Sequence, residues 1–271
     1  MKAVAPASTK CSRERAPALV VAAAMTLLPS LSSAIEHYEG EAYAADGGPL
    51  LYRESHWRHD EDGVVSGLVI YQCPDGTAFA RKHIRATTDP LAPDFELRDA
   101  RNGYVEGVRE DHGSRQVFTR ASDTASERSA TINGDKNLIV DAGFDAFVRT
   151  HWDALASTPA TILFVVPSRL EAMRFQVRHV GEEHAGARIA QRFRLSFASW
   201  YGSLLPHIDV VYDAVSRRLL RYEGISNVRD GNARNVVVRI EFPQSERDMQ
   251  ATQTQFAAAA AMPLTGTCPL S

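Results

Sequence analysis

No Gly-x-Ser-x-Gly elbow, His-Glu-x-x-His pair, Cys-x-x-Cys pair or glycine-rich phosphate loop occurs in these 271 residues. Each absence removes the local form of one chemistry: an exposed serine nucleophile, a helical zinc site, a dithiol couple, a phosphate cradle. Glu223-Gly224-Ile225-Ser226-Asn227 approaches the first pattern but lacks its second glycine. A dispersed catalytic site stays open, because triads need not be local in sequence. An excess of basic residues is missing too. Lys+Arg number 30 against 33 Asp+Glu, a net charge of −3. That speaks against nucleic acid as a partner and against general adhesion to anionic membrane. The apolar run Ala16 to Leu28 is shorter than the roughly 20 residues of a spanning helix. What is present is ordinary globular composition, 44% hydrophobic and 23% charged, enough for one large domain with a sizeable core. No internal repeat or interdomain linker interrupts it.

The N-terminus reads as an export signal. Lys2, Lys10, Arg13 and Arg15 precede the apolar run, and Pro29 to Ala34 is a small-residue exit. Ser32 and Ala34 fit the small-x-small rule, so cleavage is expected after Ala34, leaving residues 35–271 as one periplasmic domain. The alternative is a retained N-terminal anchor. Glu14 separates Arg13 from Arg15, so there is no twin-arginine signal. Cys11 lies before the apolar run, so a lipid-anchored cysteine is not expected. Cleavage removes four basic residues and one acidic one, leaving 26 Lys+Arg against 32 Asp+Glu, a charge of −6. It also leaves two cysteines, Cys73 and Cys268, an even pair in an oxidising compartment. They are either bridged or two unrelated thiols; spacing alone does not give their separation.

The chain pattern is mainly β, of α+β class. Short strand-like pieces run from Ile35 to Arg120, separated by turns such as Asp46-Gly47-Gly48-Pro49, Cys73-Pro74-Asp75-Gly76 and Asn102-Gly103. Ser122 to Lys136 reads as a long loop or poorly ordered edge strand. One covering helix is expected over about 141–157. Asp141 is its N-cap, and Phe144, Phe147, Val148, His151, Trp152 and Leu155 form its apolar stripe. Thr161 to Val166 is apolar on both faces, which predicts a central strand. Arg169–Val180 and Arg188–Trp200 form the cleanest hairpin, with one apolar and one arginine-rich face. Further strands at 206–213, 217–226 and 235–242 precede a C-terminal helix over about 245–261, capped by Ser245.

Four places invite chemistry. His56-x-x-His59-Asp60 resembles a metal site, but residues three apart on a strand face opposite ways, which favours a solvated hairpin tip. His151 is a candidate base, although Asp153 cannot face it from two positions along a helix; a half-buried core histidine is the simpler reading. Arg174, Arg178, Arg188, Arg192 and Arg194 form a basic patch suited to phosphate or carboxylate groups, or else a solvated sheet face balanced by acidic neighbours. Phe144, Phe147, Val148, Trp152, Phe175, Phe193 and Phe197 either fill a core, the commoner outcome, or line a ligand cavity if the sheet stays open. No residue is assigned as catalytic or metal-binding, and no cofactor is expected.

An export signal, ten or more short antiparallel strands and a helix inserted mid-chain: this order resembles the periplasmic lipoprotein-carrier superfamily. The resemblance covers about residues 35–261 and has no diagnostic motif, so no binding residue is carried over. It implies a half-open β-barrel with a helical lid over an apolar cavity, and a lipid or lipoprotein acyl chain as ligand. The expectation is therefore a periplasmic, non-enzymatic binder of an apolar or amphiphilic ligand. The alternatives are an envelope module that binds another protein, and a hydrolase with a dispersed site around His151.

Overall fold

The computed structural model describes residues 1–5, 35–133, 137–198 and 206–270. Its contacts divide the chain into Met1–Ser32 and Ser33–Ser271. The described residues of the first unit, 1–5, carry no regular structure, and the expected signal and its cleavage point fall on residues outside those described.

The second unit is built around one sheet. Its strands are β1 (Ile35–Ala44), β2 (Leu50–Glu61), β3 (Val64–Gln72), β4 (Ala78–Thr87), β5 (Phe95–Asp99), β6 (Tyr104–Asp111), β7 (Ser114–Arg120), β8 (Arg128–Thr131), β9 (Leu138–Ile139), β10 (Ala160–Val166), β11 (Glu171–Ala185), β12 (Arg188–Phe197), β13 (Ile208–Asp213), β14 (Leu219–Arg229), β15 (Asn235–Glu241) and β16 (Asp248–Ala251). They lie in the order β8-β7-β6-β5-β4-β3-β2-β1-β15-β14-β13-β12-β11-β10-β9, with β16 beside β1. The sheet is curved and unclosed, and antiparallel except where β9 meets β10. Tight turns set the hairpins: Asp62-Gly63 and His112-Gly113 place two successive residues at positive φ, which matches the twist of the strands they join. The 3-10 turn Pro167–Arg169 touches β6 and β7, so the chain after β10 reaches back across the concavity.

The covering helix is present but shorter and broken. α1 (Gly143–Thr150) and α2 (Trp152–Leu155) meet at His151, whose φ of −100° and ψ of 17° interrupt the helix. Asp141 is not its cap. It sits at φ 45°, Ala142 is the N-cap, and no side chain caps the helix. Gly143 is required by close approach: a Cβ there would lie 1.8 Å from the Leu91 carbonyl oxygen. Thr161–Val166 is not a central strand. β10 is next to the edge, and Ile162 and Val165 are its buried residues.

The C-terminal helix also starts later than expected. Asp248–Ala251 pairs with β1 at His37 and Ile35, using backbone groups of β1 that β15 leaves open. Thr252 then caps α3 (Gln253–Ala260) in a reciprocal capping box with Gln255. α3 packs on the face of β2 and β3 opposite the concavity, where Phe256 meets Trp57 edge-on at 6.3 Å. The Ser122–Lys136 stretch holds the short edge strand β8.

Candidate functional site

The two faces of the sheet can be read from its register. One inner row crosses five neighbouring pairs: Glu106, Leu97, Lys82, Val69, His56, Tyr38. An outer row runs Arg178, Arg194, Asp209, Glu223, Arg239, Tyr43. Charge lies on both faces, which is unusual for an inner one.

The half of the inner face under α1 and α2 is aromatic. Phe144, Phe147, Val148 and Trp152 are buried against Ile162, Val177, Phe193, Leu195, Val210 and Tyr212. The Trp152 ring lies 4.9 Å from Phe193 and 6.0 Å from Tyr212. Phe144 meets Phe164, Phe164 meets Phe175, and Phe175 stacks on Phe197 at 4.5 Å. Phe175 and Phe197 are half-buried, at the rim of this seam. The structure thus brings the seven predicted cavity residues into one seam, with the helix seated directly on the sheet. Two clefts, of about 510 and 350 Å³, lie elsewhere: one beside His207, Asp209, Ile225 and Val237, the other beside Asp89, Asp94 and Arg115.

The other half of the inner face holds a polar seam that the sequence reading missed. The Lys82 amine donates to both oxygens of Asp141, each at 2.9 Å, and the two side chains are 12% and 9% exposed. The Asn227 amide donates to Asp141 at 3.1 Å and to Glu106 at 3.0 Å. Tyr104 donates to Glu106 at 2.5 Å and accepts from Arg229 at 2.8 Å. The seam thereby joins β4, β6 and β14 to Asp141, the residue just before α1. Burial pushes the Glu106 carboxyl above its ordinary value, against the hydrogen bond from Tyr104. Burial alone would lower the Lys82 amine, but Asp141 outweighs it and holds it above its usual value. Glu54, also buried, pairs with His56 at 2.7 Å, and Tyr52 hydrogen-bonds Ser226 at 2.7 Å. The signal was present in the strands: Glu54, Lys82 and Glu106 occupy the same alternating positions as Tyr52, Ala80 and Tyr104.

The remaining candidates are resolved by their surroundings. His56 stacks on Tyr38 at 4.7 Å, and the period of the strand turns His59 to the other face. Among the described residues no group of three His, Cys, Asp or Glu could hold a metal ion. His151 stacks on Phe147 at 4.3 Å and its Nδ1 meets the Phe147 carbonyl at 3.0 Å. Of the arginines, Arg192 pairs with Glu183, Asp209 and Glu223, Arg194 with Asp209, and Arg188 with Asp213. That part of the patch is compensated, because β11, β13 and β14 supply the acids, and such pairs contribute little as a net charge. Arg174 and Arg178 carry no side-chain ion pair among the described residues. Cys73 and Cys268 are bonded, with Cα atoms 5.7 Å apart. The bond fixes the C-terminal tail along β4, where the Gly266 amide donates to the Ala78 carbonyl and Leu270 is buried with Phe79 and Tyr104.

No protein-family model matches the chain, and no curated protein matches it. Among solved structures it is similar to a domain from Vibrio parahaemolyticus provisionally named as an outer membrane lipoprotein-sorting protein domain, with 11% identity and a TM-score of 0.31 over 86% of this chain and 92% of that one. It is also similar to a DUF1329 family protein from Desulfovibrio piger, with 8% identity and a TM-score of 0.27 over 85% of this chain and 92% of that one. The likeness is distant in both cases and spans most of both chains.

Proposed function

We propose that residues 35–271 form an exported, non-enzymatic binding protein, freed from a signal at residues 1–34, that takes an acyl-like part of an amphiphile between the α1–α2 pair and the aromatic inner face of the sheet. The observation that carries this reading is how the cover is attached. Apolar packing alone would make α1–α2 one more layer of the core. Here the aromatic underside of α1–α2 lies on an unclosed sheet, while the root of the cover is fixed by the charged seam of Lys82, Asp141 and Asn227. A polar root with an apolar underside is the arrangement of a cover that lifts. Phe144, Phe147 and Trp152 cover the surface on which the acyl chain would lie. An acyl chain would replace them with surface of the same kind, at about 0.8 kcal/mol per buried CH2. The test is native mass spectrometry of protein purified from the periplasm, followed by titration of the delipidated protein with phospholipid. Adducts of lipid mass that quench Trp152 support the reading; a clean unliganded mass that takes up no lipid overturns it.

The packed state of the aromatic seam favours a second reading, an envelope module with a filled core and a working outer surface. Arg174 and Arg178, which lack acidic partners among the described residues, would then be its contact. A co-purifying envelope protein lost on R174E/R178E would select this reading over the first.

A further inference from the structure

The polar seam contains one feature that a simple structural anchor does not need. Two carboxylates, buried Glu106 and nearly buried Asp141, are served by the same amide nitrogen of Asn227, at 3.0 and 3.1 Å. Asp141 belongs to the segment that enters α1; Glu106 belongs to the sheet. The groups facing Glu106 come from every element around it: Lys82 on β4, Tyr71 on β3, Tyr104 on its own strand, Thr119 on β7, Asn227 and Arg229 on β14, and Asp141 from the cover. The cations are committed to other partners. Lys82 spends its hydrogen bonds on Asp141, and Arg229 bonds Tyr104 and lies over its ring at 3.6 Å.

We propose that Glu106 is the proton-sensitive member of the seam: neutral, it leaves Asp141 as the only negative charge around the Asn227 amide and the cover stays seated; ionised, it sets a second negative charge against Asp141 and loosens α1–α2. The inference rests on the reading that α1–α2 is a removable cover. Its sign follows from linkage. Burial, and after it the charge of Asp141, raise Glu106 above its ordinary value in the folded protein; the Asp141 part acts only while the root of the cover is in place, so the seated form binds the extra proton. Its advantage is complete below the ordinary carboxylate value and is lost as pH rises through the raised one. The cover is thus held most tightly in mild acid and released toward higher pH.

The experiment is hydrogen exchange read by mass spectrometry on the whole mature protein, stepped from mildly acidic to mildly alkaline pH. Peptides of the β2–β3 hairpin correct for the intrinsic pH dependence of exchange. Protection of 143–155 should fall by roughly tenfold across that range, and the fall should vanish in E106Q, which keeps the shape and an acceptor oxygen but cannot ionise. Y104F removes the donor that favours the ionised form and should move the transition to higher pH. A wild-type profile with no transition, or E106Q with the wild-type transition, overturns the proposal. Phospholipid uptake by native mass spectrometry on the same samples separates the two readings. A pH transition without uptake sinks the carrier reading alone; uptake without a transition sinks the proton switch alone.

Discussion

The pairing of Lys82 with Asp141 makes a claim that a double-mutant cycle can test. Both groups are nearly buried and bound twice at 2.9 Å. Removing one partner of such a pair leaves a charge with no counterion in low dielectric, at a cost of about 3–5 kcal/mol. K82M leaves the Asp141 carboxylate with Asn227 as its remaining donor. D141N leaves the amine beneath a neutral amide. The choice of asparagine matters, because Asp141 sits at φ 45° and asparagine tolerates that conformation, whereas alanine would add about 1–2 kcal/mol of backbone strain. In K82M/D141N neither charge is stranded, so the double variant should lose less than the two singles combined. The expected coupling is on the order of 2–3 kcal/mol. Urea unfolding followed by far-UV dichroism supplies all four stabilities, with m held constant as the check that the unfolded state is unchanged. Since domains of this size are stable by about 5–15 kcal/mol, each single variant should be visibly weakened. Singles within about 1 kcal/mol of wild type, or strict additivity, would refute the claim that the pair is buried and mutually dependent.

Other consequences are separately measurable. Reducing the Cys73–Cys268 bond, which spans 195 residues, should destabilise the protein by up to about 5 kcal/mol from loop entropy; urea midpoints with and without reductant report it, and C73S/C268S should be insensitive to reductant. Phe193, 1% exposed at the centre of the aromatic seam, should cost about 3–5 kcal/mol when cut to alanine, and half-buried Phe197 distinctly less, as read by thermal unfolding. Asp213 would be raised by burial, but the Ser216 amide, Arg188 and the Ser216 hydroxyl overcome this and bring it from 3.8 down to about 2. Its contribution is therefore present above the ordinary value and lost as pH falls through about 2. Acid unfolding of D213N should lack that part of the loss.

Strand and turn placement was legible because it depends on local rules. Alternation located β11 and β12, and Asp62-Gly63 with its positive φ values closes a hairpin as its composition implies. Helix ends were less legible. Asp141 has the chemistry of an N-cap, but a carboxylate prefers a buried ammonium to backbone amides when one is within reach, and Lys82 comes from a strand 59 residues earlier. Ser245 and Thr252 are both acceptable caps; the open edge of β1 selects Thr252 by drawing Asp248–Ala251 into the sheet. The misplacement of Thr161–Val166 has a similar cause. Its apolar outer residues do not mark a central position, since β10 lies one strand from the edge. The arginine stripe was visible, but its neutralisation was not, because Asp209, Asp213 and Glu223 come from other strands.

That difference between the faces bears on function. On the outer face, opposite charges meet across neighbouring strands that are fixed to each other by the sheet, so the pairs can do little beyond setting register. On the inner face, the central ion pair joins the sheet to a segment outside it. Breaking Arg194–Asp209 leaves two strands still hydrogen-bonded through the register that places them opposite. Breaking Lys82–Asp141 removes a side-chain tie at the entry to α1, where the backbone is held by the Val140 amide on the Leu91 carbonyl. The same chemistry therefore has different mechanical consequences on the two faces. An ion pair between strands is redundant with the ladder, whereas one between sheet and cover is not. Buried charge on the inner face is costly to keep. Its position at the joint between sheet and helix, rather than its net strength, is the physical reason for the proposal that α1–α2 acts as a cover and not as the last layer of a core.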